Sequence, residues 1–202
     1  MQRQIAKELL SIGAVFLRPE EPVTWASGIQ SPIYCDNRLT LSAPAVREQI
    51  EAGLAGLVRE HFPQCEALMG TSTAGIAHAA ITATILNLPM GYVRGEAKSH
   101  GRTNRIEGRL DPGTKVVVVE DLISTGGSVI DVVNALREAG AEVLGIVSIF
   151  TYGIRKGLDR LAAANVVNYS LSNLDVLVDV AVEEKYITPE QKEQILAFRN
   201  AL

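Results

Sequence analysis

The chain predicts an α/β fold: one domain over residues 1–202 with a central, mostly parallel sheet flanked by helices. Three observations carry this. Short apolar runs at Ala67–Met69, Met90–Val93, Val116–Val119 and Glu142–Phe150 have strand length, and longer stretches with helical apolar spacing separate them. Val116 to Val119 are four consecutive valines, too few for a helix and too β-branched to favour one, so they suit a strand covered on both faces, as parallel strands are. Two of the links between strand and helix, G-T-S-T-A-G at Gly70–Gly75 and S-T-G-G-S at Ser124–Ser128, are short, glycine-bearing and hydroxylic.

Taken in order, residues Gln4 to Phe16 place Ile5, Leu9, Leu10, Ile12 and Val15 on one helical face, with Gly13 near the end. Val23 to Arg38 contains Trp25, Tyr34 and the Ser-Gly and Ser-Pro breaks, a pattern for two short strands joined by a turn. A long helix runs from Ala43 or Pro44 to about His61, with Ser42 as cap and Pro44 in the first turn. Ala67–Met69 leads through the Gly70–Gly75 loop into a helix over Ile76–Leu86. That loop is a second candidate anion site and equally a structural turn; its G-x-x-x-x-G is followed by Ile76-Ala77, which rules out a Walker A loop. After Val93, Arg94 to Gly108 holds three glycines with Arg94, Lys98, His100, Arg102 and Arg105, a cationic loop that by itself reads as solvated surface. A helix over Gly127–Ala139 stops at Gly140, a strand follows at Glu142–Phe150, and Val166–Ser170 and Ser172–Glu184 suit a further strand and helix. Thr188-Pro-Glu-Gln opens the last helix with a cap, a first-turn proline and a capping-box glutamine.

At 202 residues, 47% hydrophobic, 21% charged and net charge −4, the chain has the balance of an ordinary globular domain. The acidic balance gives no reason to expect nucleic-acid or membrane binding. Met1-Gln-Arg-Gln leads into an amphipathic pattern and no apolar run is long enough to span, so a cytoplasmic location is expected. Cys35 and Cys65 are the only cysteines, which suits a reducing compartment, and His61, His78 and His100 lack metal-ligand spacing, so no protein-borne metal site is expected.

The chemistry concentrates in Lys115 to Ser128, K-V-V-V-V-E-D-L-I-S-T-G-G-S. Glu120 and Asp121 stand where the strand reaches the carboxyl edge of the sheet, the edge at which open α/β folds place ligands. Ser124, Thr125, Gly126, Gly127 and Ser128 then run into a helix. Such a loop suits a phosphate: glycines admit close approach, N–H groups at the helix start face the anion, and hydroxyls add donors. Carboxylates repel a phosphate, so they serve another part of the same ligand, and acceptor-only groups suit the vicinal hydroxyls of a ribose.

Hydrophobic strand, acidic pair and Thr-Gly-Gly together resemble the phosphoribosyl pyrophosphate (PRPP) signature of the type I phosphoribosyltransferases. S-G-x-x-S-P-x-Y (Ser27, Gly28, Ser31, Pro32, Tyr34) and R-x-E-A-K-x-H-G (Arg94, Lys98, His100) resemble the N-terminal segment and catalytic flap of the orotate enzymes among them. The resemblance implies a Rossmann-like sheet with a small hood from about residues 1–40 and the C-terminal segment. It implies transfer of the phosphoribosyl group from PRPP to orotate in pyrimidine synthesis, with Mg²⁺ on the pyrophosphate and a homodimer whose active sites share the flap. Its site residues are Lys98, His100 and Asp121 as catalytic groups. Arg94, Lys98, His100 and the run Glu120, Asp121, Leu122, Ile123, Ser124, Thr125, Gly126, Gly127 and Ser128 bind PRPP, and Ser124 also touches orotate.

Two departures bear on this pattern. Lysines that some orotate enzymes carry are replaced by Ala26, Ala74 and Gly95, which throws pyrophosphate binding onto Lys98, Arg94 and backbone donors. The family's base-contacting arginine has only Arg155 as a weak counterpart. A purine phosphoribosyltransferase would share Glu120 to Ser128, and a PRPP-sensing regulator of the same fold that binds nucleic acid is the alternative of another class.

Overall fold

The computed structural model describes residues 1–24, 28, 30–95 and 105–202. Six strands form the central sheet: β5 (Ala67–Thr71), β6 (Met90–Val93), β7 (Ile106–Glu107), β8 (Lys115–Ile123), β9 (Glu142–Thr151) and β10 (Asn168–Asn173). Their order is β10-β9-β8-β5-β6-β7, parallel except for β7, which runs antiparallel to β6. The expected mostly parallel α/β sheet is therefore present.

The valine run of β8 shows why both faces are apolar. Val117 and Val119 enter a core shared with α1 (Gln2–Ser11), α2 (Pro44–His61), α3 (Ala74–Leu86) and α6 (Leu174–Glu183), whereas Val116 and Val118 enter a second core under α4 (Gly127–Glu138) and α5 (Arg155–Ala163). All four valines are fully buried. The final helix, α7 (Pro189–Asn200), starts with the expected capping box between Thr188 and Gln191.

Several local expectations are corrected. The first helix stops at Ser11, because Gly13 turns at φ +67° and Ala14 N–H reaches back to Leu9 O. Val15 and Phe16 belong instead to β1 (Val15–Leu17), which pairs antiparallel with β4 (Ile33–Cys35). The short hairpin pairs β2 (Val23–Thr24) with β3 (Gln30–Ser31). Ser42 does not cap α2: it ends a 3₁₀ stretch, Asn37–Ser42, begun by Asp36 accepting from Arg38 N–H, and the cap position is Ala43 with Pro44 first in the helix. Gly70 and Thr71 are strand, and α3 starts at Ala74. Ser172 and Asn173 extend β10 in register with Phe150 and Thr151, and the Asn173 side chain then caps α6 through Val176 N–H. Helix α5 was not foreseen.

No described helix is long and apolar enough to cross a membrane.

Candidate active site

The strand order reverses between β5 and β8. From that point β6 and β7 lie to one side, β9 and β10 to the other, and α3 and α4 pack on opposite faces. Ligands of open α/β sheets bind outside the carboxyl ends of the strands at such a switch point. Here the crevice is bordered by the Ser72–Thr73 turn, whose peptide bond is cis, and by Glu120 to Ser128.

Strand β8 runs two residues beyond the acidic pair, so Glu120 and Asp121 are held by sheet pairing rather than by a loop. Glu120 is 6% exposed; its Oε1 accepts from Thr71 Oγ1 at 2.7 Å and from Asp121 N–H at 2.9 Å. Burial first, and then the neighbouring Asp121, push its carboxyl up to about 8. Asp121 is half-buried, and its backbone oxygen accepts from Asn37 Nδ2 at 2.7 Å. Leu122 and Ile123 pair with Phe150 and Thr151 while their side chains enter the cores, and Ile123 O already accepts from Tyr152 N–H. Whatever these two give a ligand must come through the backbone.

The loop beyond β8 has the geometry of an anion cradle. Gly126 sits at φ +73° in the cap position of α4, with no side chain to occupy the first-turn N–H groups, and these have no partner within a helix. Gly127 and Ser128 are exposed, Ser124 and Thr125 half-buried. Helix α5 supports the loop from behind. Arg160 Nη1 donates to Thr125 O at 3.1 Å, and Gly157 packs so closely that a Cβ there would stand 2.4 Å from Ser124 O.

Arg94 follows β6 beside the Ser72–Thr73 turn, where Ser72 N–H donates to Val93 O. Its backbone N–H donates to Arg105 O at 2.9 Å, and Nη1 lies 3.8 Å from Glu107 Oε1. Nη1 is buried with no hydrogen-bond partner among the described residues, where the ion pair with Glu107 is its charge contact, so the guanidinium stands at this edge of the crevice. Lys98 and His100, like Trp25, Ala26 and Ser27, lie outside the described residues. Arg155 opens α5 with its side chain 80% exposed and paired with Asp159.

Two potential nucleophiles near Asp121 are held protonated. Burial, then Asp121 and Asp36, raise the Cys35 thiol well above its usual range, and burial raises the Tyr152 phenol. The crevice thus presents acceptors for hydroxyls and donors for anions, an arrangement for binding a phosphorylated sugar rather than for attacking it. A separate groove of about 790 Å³ between α5 and β10 is lined by neutral residues only, which gives a phosphate no counter-charge.

Asn37, Gly157 and Arg160 were not singled out in the sequence, and Thr71 was marked only as part of the Gly70–Gly75 loop, not as a partner of Glu120. Each acts from another element onto the Glu120–Ser128 stretch, a relation that only the tertiary fold reveals.

A family model described as phosphoribosyl transferase domain matches residues 42–187. Orotate phosphoribosyltransferase of Bacillus cytotoxicus is 59% identical over 199 residues, covering 98% of this chain and 95% of that protein. The crystal structure of orotate phosphoribosyltransferase from Aeropyrum pernix superimposes with TM-score 0.78 at 30% identity, covering 91% of this chain and 99% of that one. Leishmania donovani UMP synthase gives TM-score 0.86 at 27% identity; the alignment covers all of this chain but only 42% of that longer protein.

Proposed function

The chain belongs to the phosphoribosyl transferase domain family, and from that premise we propose that it is an orotate phosphoribosyltransferase of pyrimidine nucleotide synthesis. It converts orotate and PRPP to orotidine 5′-monophosphate and pyrophosphate. The observation that carries this is the 59% identity to a protein of that name across nearly the full length of both chains.

The reaction is a substitution at the anomeric carbon. The bond to the pyrophosphate oxygen breaks, its electron pair leaves with pyrophosphate, and a ring nitrogen of orotate, giving up its proton to solvent, bonds to the carbon as positive charge builds on the ribose. No protein nucleophile is required. Ser124 to Ser128 anchor the 5′-phosphate through hydroxyls and the open N–H groups of α4. Glu120 and Asp121 hold the ribose hydroxyls near the developing positive charge. Arg94, Lys98 and His100 stabilise the departing pyrophosphate, with His100 as its proton donor, and Ser124 meets the orotate carboxylate.

Mg²⁺ supplies charge neutralisation to the pyrophosphate. Among the described residues there is no group of three or more His, Cys, Asp or Glu side chains able to hold a metal. Such an ion would be carried mostly on substrate oxygens and water, as Mg²⁺ prefers.

The working assembly is a homodimer in the cytoplasm, each subunit lending Lys98 and His100 to the other. Support comes from α3, whose only ionisable side chain, His78, is buried. Its outward residues, Ile76, Ala77, Ala80, Ile81, Thr84 and Ile85, form an apolar face that a second copy would cover.

Loss of orotate absorbance on mixing with PRPP and Mg²⁺ tests the activity, with adenine, guanine and xanthine as competing bases. Turnover of a purine in place of orotate would overturn the assignment, and sedimentation of the same sample reads the assembly.

A further inference from the structure

Thr71 closes β5 one residue before the Ser72–Thr73 turn, across from Glu120 in the parallel register that pairs Gly70 with Val119. Thr71 and Glu120 are 1% and 6% exposed, and Thr71 Oγ1 lies 2.7 Å from Glu120 Oε1 against 3.4 Å from Val119 O. A hydroxyl has one proton, so it goes to the nearer, stronger acceptor. Room for this hydroxyl is kept by Gly75 in the first turn of α3, where a Cβ would stand 2.4 Å from Thr71 Oγ1 and 2.5 Å from Val119 O.

The geometry points to Thr71 as a positioning residue that orients the Glu120 carboxylate and favours its ionised form for gripping the ribose diol, tying β5 to β8 at the carboxyl edge of the sheet. The inference rests on the reading of Glu120 as a ribose ligand. Oε1 is occupied by two protein donors, Thr71 Oγ1 and Asp121 N–H, so the carboxylate cannot rotate freely and Oε2 keeps capacity for a sugar hydroxyl. A donor to the charged form opposes the burial, the side-chain hydrogen bond with Asp121 and the Asp121 charge that favour protonation. With this donor in place the carboxyl already rises to about 8; without it, Glu120 would hold its proton to higher pH still and meet a diol with one acceptor fewer. Asp121 on the same strand is the charged group acting on Glu120, and Thr71 on β5 is the neutral one.

The test is PRPP affinity, by calorimetry with Mg²⁺ from roughly pH 6 to pH 9, for the wild type, Thr71→Val, Thr71→Ser and Glu120→Gln. Thr71→Val should weaken binding roughly 10- to 100-fold near neutrality, the loss expected of a hydrogen bond to a charged group, and shift the rise of affinity to higher pH. Thr71→Ser should restore both. A loss equal at every pH would mean a merely structural threonine and overturn the inference. So would wild-type binding by Thr71→Val, which leaves the proposed function intact as long as the wild type binds PRPP and Glu120→Gln does not. If the wild type fails to bind, or Glu120→Gln binds equally well, the ribose-ligand reading fails and takes the inference with it. Should Thr71→Val not fold, Thr71→Ala against Thr71→Ser makes the same comparison.

Discussion

Asn37 Nδ2 donates to the backbone oxygen of Asp121 at 2.7 Å, joining the turn after β4 to the carboxyl end of β8. Asn37 is fully buried; its Oδ1 accepts from Cys35 Sγ at 3.3 Å and its backbone oxygen from Thr40 Oγ1 at 2.6 Å. Asn37→Leu keeps the volume but strands the Asp121 carbonyl, so a loss of about 1–3 kcal/mol in urea denaturation is expected. Because Asp121 loses its anchor, kcat/KM for PRPP should fall as well. An unchanged denaturation midpoint would show that this bond adds nothing net.

Gly157→Ala sets two effects against each other. Within a helix alanine is favoured by up to about 1 kcal/mol. Here, however, the new methyl would stand 2.4 Å from Ser124 O, a backbone atom that no rotamer change can move aside, and overpacking of that kind costs about 1–3 kcal/mol. The overlap should prevail and displace the Ser124–Ser128 cradle. The expected result is a raised KM for PRPP with a smaller change in Tm; unchanged KM would mean that α5 does not set the cradle.

Much of the fold could be read from the chain because its signals were redundant. Four valines with no polar alternate specified a strand covered on both faces, and Thr188 with Pro189 and Gln191 specified a helix start. What was missed had weak or divided signals. Val15 continues the apolar spacing of α1, and only the φ +67° turn at Gly13 and the partner strand Ile33–Cys35 remove it from the helix. Helix α5 is amphipathic but only nine residues long, polar on most positions and with Gly157 inside it, so its short apolar spacing gives a weak signal. At Ser172 and Asn173 tertiary pairing with β9 overrides a local pattern that reads equally well as helix.

The site was legible where its residues are contiguous. Glu120 to Ser128 stand together in sequence and in the crevice, and Arg94 carries a motif of its own. The contacts of Thr71, Asn37 and Arg160 with this stretch were not legible, Thr71 being marked only by its own loop, since they join segments 49, 84 and 35 residues apart. Such contacts carry no local mark in a single sequence.

Substitutions at the reacting centre should separate chemistry from stability. Lys98→Ala is expected to lower kcat by roughly 10²–10³, the usual loss for a donor that acts in the transition state, with less effect on PRPP affinity. Unchanged turnover would remove Lys98 from the mechanism. Asp121→Asn should reduce kcat while leaving Tm near that of the wild type, since its side chain is half-buried and the Asn37 bond goes to its backbone. A large drop in Tm would assign Asp121 to structure instead.

The ligand-free protein should show the cost of its buried acid as a pH dependence. Glu120 rises from 4.5 to about 8 on folding, with burial the first cause, so the folded state holds its proton more tightly than the unfolded chain. Its contribution is complete below the unfolded value and is lost as pH rises through about 8, amounting to a few kcal/mol at most. Asp36, Asp131 and Asp175 are shifted down by their arginine partners, so their contributions are lost only in acid, below the ordinary carboxylate range. Thermal melts from roughly pH 5 to pH 8 should therefore fall more steeply for the wild type than for Glu120→Gln. Parallel slopes would show that Glu120 is already ionised in the free enzyme.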